Sequence, residues 1–141
     1  MFFGEYQYKV DEKGRLPLPP KFRREMREAV ILIKGTEKCV VAYPSAEWKR
    51  LADSLAARAV TPVNLRKLNR AIFGSAFSVS FDKQGRITLP SPLRSYAEIG
   101  DAAIVVGANN YVELWNEELW KAEKASAEEQ ASQIIEGFEA Q

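Results

Sequence analysis

The chain repeats itself, and that constrains its fold more than any local propensity. Residues 10–23 read VDEKGRLPLPPKFR and residues 81–94 read FDKQGRITLPSPLR. Asp11 aligns with Asp82, Gly14 with Gly85, Arg15 with Arg86, Leu18-Pro19 with Leu89-Pro90 and Arg23 with Arg94. Each pair is 71 residues apart, as from Asp11 to Asp82. Downstream the spacing becomes 72, as from Tyr43 to Trp115, which one extra loop residue explains. ILIKG at 31–35 then parallels AIVVG at 103–107, and VVAYPSAEW at 40–48 parallels VELWNEELW at 112–120. The fold is a duplication.

Each half begins with alternating apolar residues, Tyr6, Tyr8 and Val10 or Phe77, Val79 and Phe81, which predict one face of a strand. Asp-x-x-Gly predicts a turn, with Asp bonding back to the backbone and Gly accepting a positive φ. A second strand, Arg15–Leu18 or Arg86–Leu89, completes a hairpin with Arg just past the turn. A short helix follows, with Pro20 or Pro92 in its first turn and Gly100 as a stop in the second half. Two more strands are expected at Val30–Ile33 with Val40–Tyr43, and at Ala103–Val106 with Val112–Trp115. A helix ends each half, N-capped by Ser45 or Asn116. A linking helix over Val63–Phe73 takes Thr61 as N-cap, Pro62 at its first position and Gly74 as its end. The division is 1–60 for the first half, 61–74 for the linker, 75–122 for the second half and 123–141 for an acidic helical tail that frays near Gly137. Neither half can bury its own sheet. Packed about a pseudo-twofold axis, two halves can close one small barrel and bring both turns to one face.

The charge is uneven. Residues 1–100 carry 18 Lys/Arg against 10 Asp/Glu, and residues 101–141 carry 2 against 9. This suits a body that binds a polyanion and an acidic end that points away from it or packs on a neighbouring subunit. The same acidity also suits an ordinary solvated helix. Arg15 and Arg86 are the leading candidates for contact with DNA, because arginine binds phosphate bidentately or reads guanine in the major groove, which admits a two-stranded ribbon. Lys13 and Lys83 share their turns. Lys9, Lys21, Arg23, Arg24 and Arg94 flank them as phosphate contacts. Taken singly, each turn also reads as a stabilising ion pair, Asp11 with Arg15 or Asp82 with Arg86. Two copies in a basic half favour DNA.

Other features are quieter. Arg66, Lys67 and Arg70 read as a solvated face opposite Leu65, Leu68 and Ile72. Tyr43, Trp48, Trp115 and Trp120 read as core or subunit contacts rather than base-stacking residues. The chain has no histidine, which excludes a Ser-His-Asp triad, a Cys-His pair and any His-bearing zinc site within one chain. Its single cysteine, Cys39, excludes an intramolecular disulfide and reads as an inert strand residue in a reducing compartment. Glu117-Glu118 and Glu128-Glu129 read as solvated surface, and no Gly-rich phosphate loop is present. No enzyme, cofactor, metal or small-molecule substrate is expected. No apolar run approaches the ~18–20 residues of a membrane span, and MFFGEYQYKV lacks a signal peptide's basic start, so a cytoplasmic location is expected.

These motifs resemble one family. GEY at 4–6, DEKGRLPLPPKFR at 11–23, DKQGRITLPSPLR at 82–94, YPSAEW and LWNEELW are similar to MraZ proteins over about residues 1–120. The resemblance implies an α+β, mainly β fold: a tandem-duplicated, AbrB- and MazE-like swapped-hairpin (double-split) β-barrel with short flanking helices. It implies a repressor of the division and cell-wall gene cluster, including its own promoter, that binds short direct repeats. It also implies a ring-shaped, octamer-like homo-oligomer associated with the nucleoid. The family's DNA-contacting motif falls on Asp11 and Arg15 and on Asp82 and Arg86, with Gly14 and Gly85 shaping the turns. Two positions depart from the pattern. Pro17 stands where an aliphatic strand residue is usual, which suits an edge or a kink. Gln84 stands where Lys13 predicts a base, with Lys83 beside it, so the first half is expected to bind DNA more strongly. The alternative is an interaction module of antitoxin type with the same barrel. Such a partner would usually carry a disordered tail, whereas this tail is rich in helix formers.

Overall fold

The alternation of Tyr6, Tyr8 and Val10 produces β1 (Glu5–Lys9) in the computed structural model, which describes residues 1–27, 29–58 and 61–139. The chain continues through β2 (Arg15–Pro17), α1 (Pro20–Met26), β3 (Ala29–Lys34), β4 (Val40–Pro44) and α2 (Ser45–Ala57). The linker is α3 (Pro62–Leu68), continued by one π-helical turn over Asn69–Phe73. The second half supplies β5 (Phe77–Ser80), β6 (Arg86–Thr88), α4 (Ser91–Tyr96), β7 (Ala102–Ala108), β8 (Tyr111–Trp115) and α5 (Glu117–Glu139).

Six strands form one antiparallel sheet in the order β1-β7-β8-β4-β3-β5, and β2 pairs with β6 in a separate ribbon. Exchanging the halves reverses the order of the sheet without changing it, so the duplication appears as a pseudo-twofold axis between β8 and β4. The expectation of a paired β1–β2 hairpin is corrected. β1 pairs with β7, Glu5 opposite Val106 and Lys9 opposite Ala102, while β2 leaves for β6. Each half's first two strands are thus swapped onto the other half. Hydrogen bonding leaves the sheet open at β1 and β5. The ribbon's buried Leu16 and Ile87 join Val30, Leu32, Val105 and Leu114 in the core that fills the space beneath it.

Local signals account for most boundaries. Thr61 caps α3 by accepting from the Asn64 N–H at 3.2 Å. Asn116 caps α5 by accepting from the Leu119 N–H at 3.0 Å. Ser45 is not the cap of α2: it is the first helical residue, and Pro44 holds the capping position without a side-chain bond. Nor does Gly100 stop α4, which ends at Tyr96 as Glu98 takes φ 55°. The repeat-matched Arg27 takes φ 62° after α1, so the exit is shared by both halves without glycine. The tail does not fray at Gly137, since α5 runs through it to Glu139.

A second apolar layer covers the other face of the sheet, and it holds Tyr43, Trp48, Trp115 and Trp120 as expected of core residues. Cys39 is buried there, in a bend just ahead of β4 rather than in a strand. Glu113 lies in this layer where the first half has Val41. It accepts from the Trp115 indole at 3.1 Å and lies 3.9 Å from the Cys39 thiol. Burial raises the Glu113 pKa above the ordinary 4.5, with Glu37 and Glu123 adding to the rise. The folded state therefore favours the protonated acid. The resulting stability is present below 4.5 and falls as pH rises toward the raised value. Glu113→Gln keeps the indole's acceptor and removes the half-buried charge. It should raise thermal stability at pH 7 and leave it nearly unchanged near pH 4, as calorimetry at the two pH values would show.

Candidate nucleic-acid interface

Both Asp-x-x-Gly-Arg turns close in the same way. Asp11 Oδ1 accepts from the backbone N–H of Lys13 at 3.0 Å and of Arg15 at 2.9 Å, while Oδ2 takes the Arg15 Nε–H at 2.6 Å. Asp82 Oδ1 accepts from Gln84 and Arg86, each at 2.9 Å, and Oδ2 takes the Arg86 Nε–H at 2.9 Å. Gly14 and Gly85 donate to the Asp11 and Asp82 carbonyls at 3.0 Å and sit at φ 80° and 76°. The backbone N–H of the arginine in each turn, ahead of its guanidinium, holds the aspartate pKa below the usual carboxylate range. The aspartates are thus ionised turn organisers.

The ribbon unites the turns. Arg15 lies opposite Thr88, Leu16 opposite Ile87 and Pro17 opposite Arg86. Because successive side chains alternate, Arg15 and Arg86 share the face opposite the buried Leu16 and Ile87. They are diagonal neighbours on one outward surface. Each uses Nε on its aspartate, which leaves the Nη groups as further donors. Arg86 Nη1 also lies 3.7 Å from Asp11 Oδ2, across the repeat. Pro17 costs no ladder bond that a sheet-interior strand would need, because β2 has one partner only.

Lys13 and Lys83 are exposed at the turn tips, and Lys9 is exposed at the end of β1. An open groove beside the ribbon is lined by Gln7, Lys9, Asp11, Arg15, Arg86 and Asp101. Arg15, Arg86, Lys13, Lys83, Lys9, Asp11, Asp82, Gly14 and Gly85 thus belong to the two turns or to the adjoining end of β1, while Lys21 and Arg24 are exposed on α1. Arg23 and Arg94 are different: both are half-buried and bonded to backbone carbonyls. Their match across the repeat was the only sequence signal that they had such a role. α5 runs away from the turns, since Trp120 and Lys124 lie beside Gly4 and Glu5, at the opposite end of β1 from Lys9.

The fold and the ribbon define a tandem swapped-hairpin protein that presents paired arginines from one rigid surface. A family described as "MraZ protein, putative antitoxin-like" matches residues 1–70 and 72–137. A transcriptional regulator MraZ from Dehalococcoides mccartyi is 55% identical over 140 residues, 99% of each chain. Proteins of the same name from Frankia alni and Halothermothrix orenii are 42% and 39% identical, covering 96% and 99% of this chain and 95% and 97% of their own. The chain belongs to the MraZ family, and its class is transcriptional regulator rather than enzyme. Among the described residues no helix is long and apolar enough to cross a membrane.

Proposed function

We propose that the chain regulates transcription by binding double-stranded DNA sequence-specifically through the β2–β6 ribbon. One observation carries this reading: the pairing places both Asp-anchored arginines on one outward face of a two-stranded ribbon. A ribbon of this kind fits the major groove, where arginine forks onto guanine O6 and N7. Asp11 and Asp82 hold the guanidinium groups by Nε, which lowers the ordering cost of that contact. Lys9, Lys13 and Lys83 supply phosphate contacts around it.

The surface of one chain is only modestly cationic, because Asp11, Glu12, Asp82 and Asp101 lie among these bases. Several subunits on repeated sites would add the missing affinity through avidity. The finer reading follows from the family: a ring-shaped homo-oligomer, cytoplasmic and nucleoid-associated, that represses the division and cell-wall cluster from direct repeats at its own promoter. The exposed Ile134, Ile135 and Phe138 at the end of α5 offer an apolar surface for subunit contact. An antitoxin-type module is the second reading, favoured by the family's description.

Gel shifts and light scattering on one preparation test the proposal. The expected result is a multi-subunit particle that binds direct-repeat DNA from upstream of its gene far more tightly than scrambled DNA. Equal affinity for both DNAs, or a toxin that co-purifies and blocks the ribbon, would overturn it.

A further inference from the structure

The two turns are braced differently, although their own hydrogen bonds match. The Gly14 carbonyl accepts from the Leu89 backbone N–H at 2.8 Å. The Gly85 carbonyl is approached instead by the guanidinium of Arg23, whose Nη1 lies 3.5 Å away and 3.4 Å from the Leu18 carbonyl. Arg23 lies so close to the second turn that a Cβ added at Gly85 would overlap its guanidinium. Arg94, its repeat mate, comes near the first turn, with Nη1 3.5 Å from where a Gly14 Cβ would lie, but it does not bond to that turn: Nε donates to Ile99 O at 3.1 Å and Nη2 to Gly100 O at 2.8 Å, both in its own half. Asp11 adds a second cross-repeat contact, 3.7 Å from Arg86 Nη1. The first half therefore holds Arg86 twice, once directly and once through Gly85.

We infer that Arg23 is a positioning residue for Arg86: an arginine of the first half, fixed on α1, sets the turn from which the second half's DNA contact projects. This rests on the proposal that the ribbon binds DNA. Arg23 reaches two backbone carbonyls with one nitrogen, Nη1, and its guanidinium covers a glycine with no side chain, so the planar group matters as well as its charge. The turn it covers ends at Arg86, one residue after Gly85, so loosening that turn leaves the guanidinium to Asp82, which sits in the loosened turn, and to the longer contact with Asp11. Arg15, whose turn is tied by a backbone bond, does not depend on Arg23.

A double-mutant cycle on the full chain separates this role from a phosphate contact. Arg23→Ala and Arg23→Lys are each made in wild-type, Arg15→Ala and Arg86→Ala backgrounds, and binding to direct-repeat duplex is measured at several salt concentrations. Arg23→Ala should weaken binding about tenfold in the wild-type and Arg15→Ala backgrounds, and by under about twofold once Arg86 is gone, as coupled neighbours behave. Arg23→Lys should lie between Ala and Arg, because lysine keeps the charge but not the planar group that covers Gly85. A loss of equal size in all three backgrounds, with the salt slope lowered by about one, would make Arg23 a phosphate contact and overturn the assignment. Amide NMR supplies a readout without DNA: Gly85 and Arg86 should shift while Gly14 and Arg15 stay in place. Shifts spread evenly over both turns would also overturn it. If the wild-type chain binds no DNA, the functional proposal fails, and the NMR result still decides whether Arg23 braces the second turn.

Discussion

Arg15→Ala is expected to weaken binding to direct-repeat DNA by about 1–3 kcal/mol per site, and Arg86→Ala by a similar or smaller amount. The order follows from how each guanidinium is held. Arg15 has one carboxylate partner and a side chain 34% exposed, whereas Arg86 lies near two carboxylates and is 26% exposed. The more engaged group has less freedom to fork onto a base. Arg15→Lys should recover little of the loss if a base is read, since an ammonium lacks the planar pair of donors. It should recover much more if the contact is to phosphate, where a point charge suffices. Gel shifts on repeat and scrambled duplexes tell the two apart. A base reader loses affinity chiefly on the repeats, and a phosphate contact loses it on both. Unchanged affinity in both alanine variants, with circular dichroism intact, would remove the ribbon from the interface.

Short-range features could be read from the sequence because their causes are short-range. Asp followed three residues later by Gly carries its own turn bonds, and those of Asp11 and Asp82 agree within 0.3 Å at matched donors. The Thr61 and Asn116 caps are equally local. The partner of β1 is not, because alternation shows which face is buried and not which strand lies alongside. β1 pairs with a strand about a hundred residues away, as Glu5 does with Val106, and local reading made it a hairpin with β2. Arg23 reads in sequence only as a flanking phosphate contact, because the glycine whose carbonyl it approaches lies 62 residues away. Glu113 carried a usable signal, since the repeat aligns this acid with Val41 on a face otherwise apolar. Gly100 and Ser45 were good generic signals, but here Glu98 turns the chain out of α4 first and Pro44 already holds the capping position of α2.

Leu16→Ala should be the most damaging single change to the fold, at about 2–5 kcal/mol of stability. Leu16 is fully buried, and so is Ile87 opposite it in the ribbon. The ribbon has only three residue pairs, too few to persist by its own hydrogen bonds. It stays in place because this one pair inserts into the core among Val30, Leu32, Val105 and Leu114. Truncating Leu16 opens a cavity at the point that holds the ribbon to the sheet. Against a typical total of about 5–15 kcal/mol, the loss should lower the urea midpoint visibly without changing the slope. DNA affinity should fall with it, because both arginines ride on the strand pair that Leu16 anchors. Exposed Val63 on α3 gives the control, since Val63→Ala should change stability by under about 0.5 kcal/mol and leave binding alone. A Leu16→Ala protein with near wild-type stability would mean that the ribbon is not part of the core. The rigid support claimed for the two arginines would then be gone, whatever the DNA measurements showed.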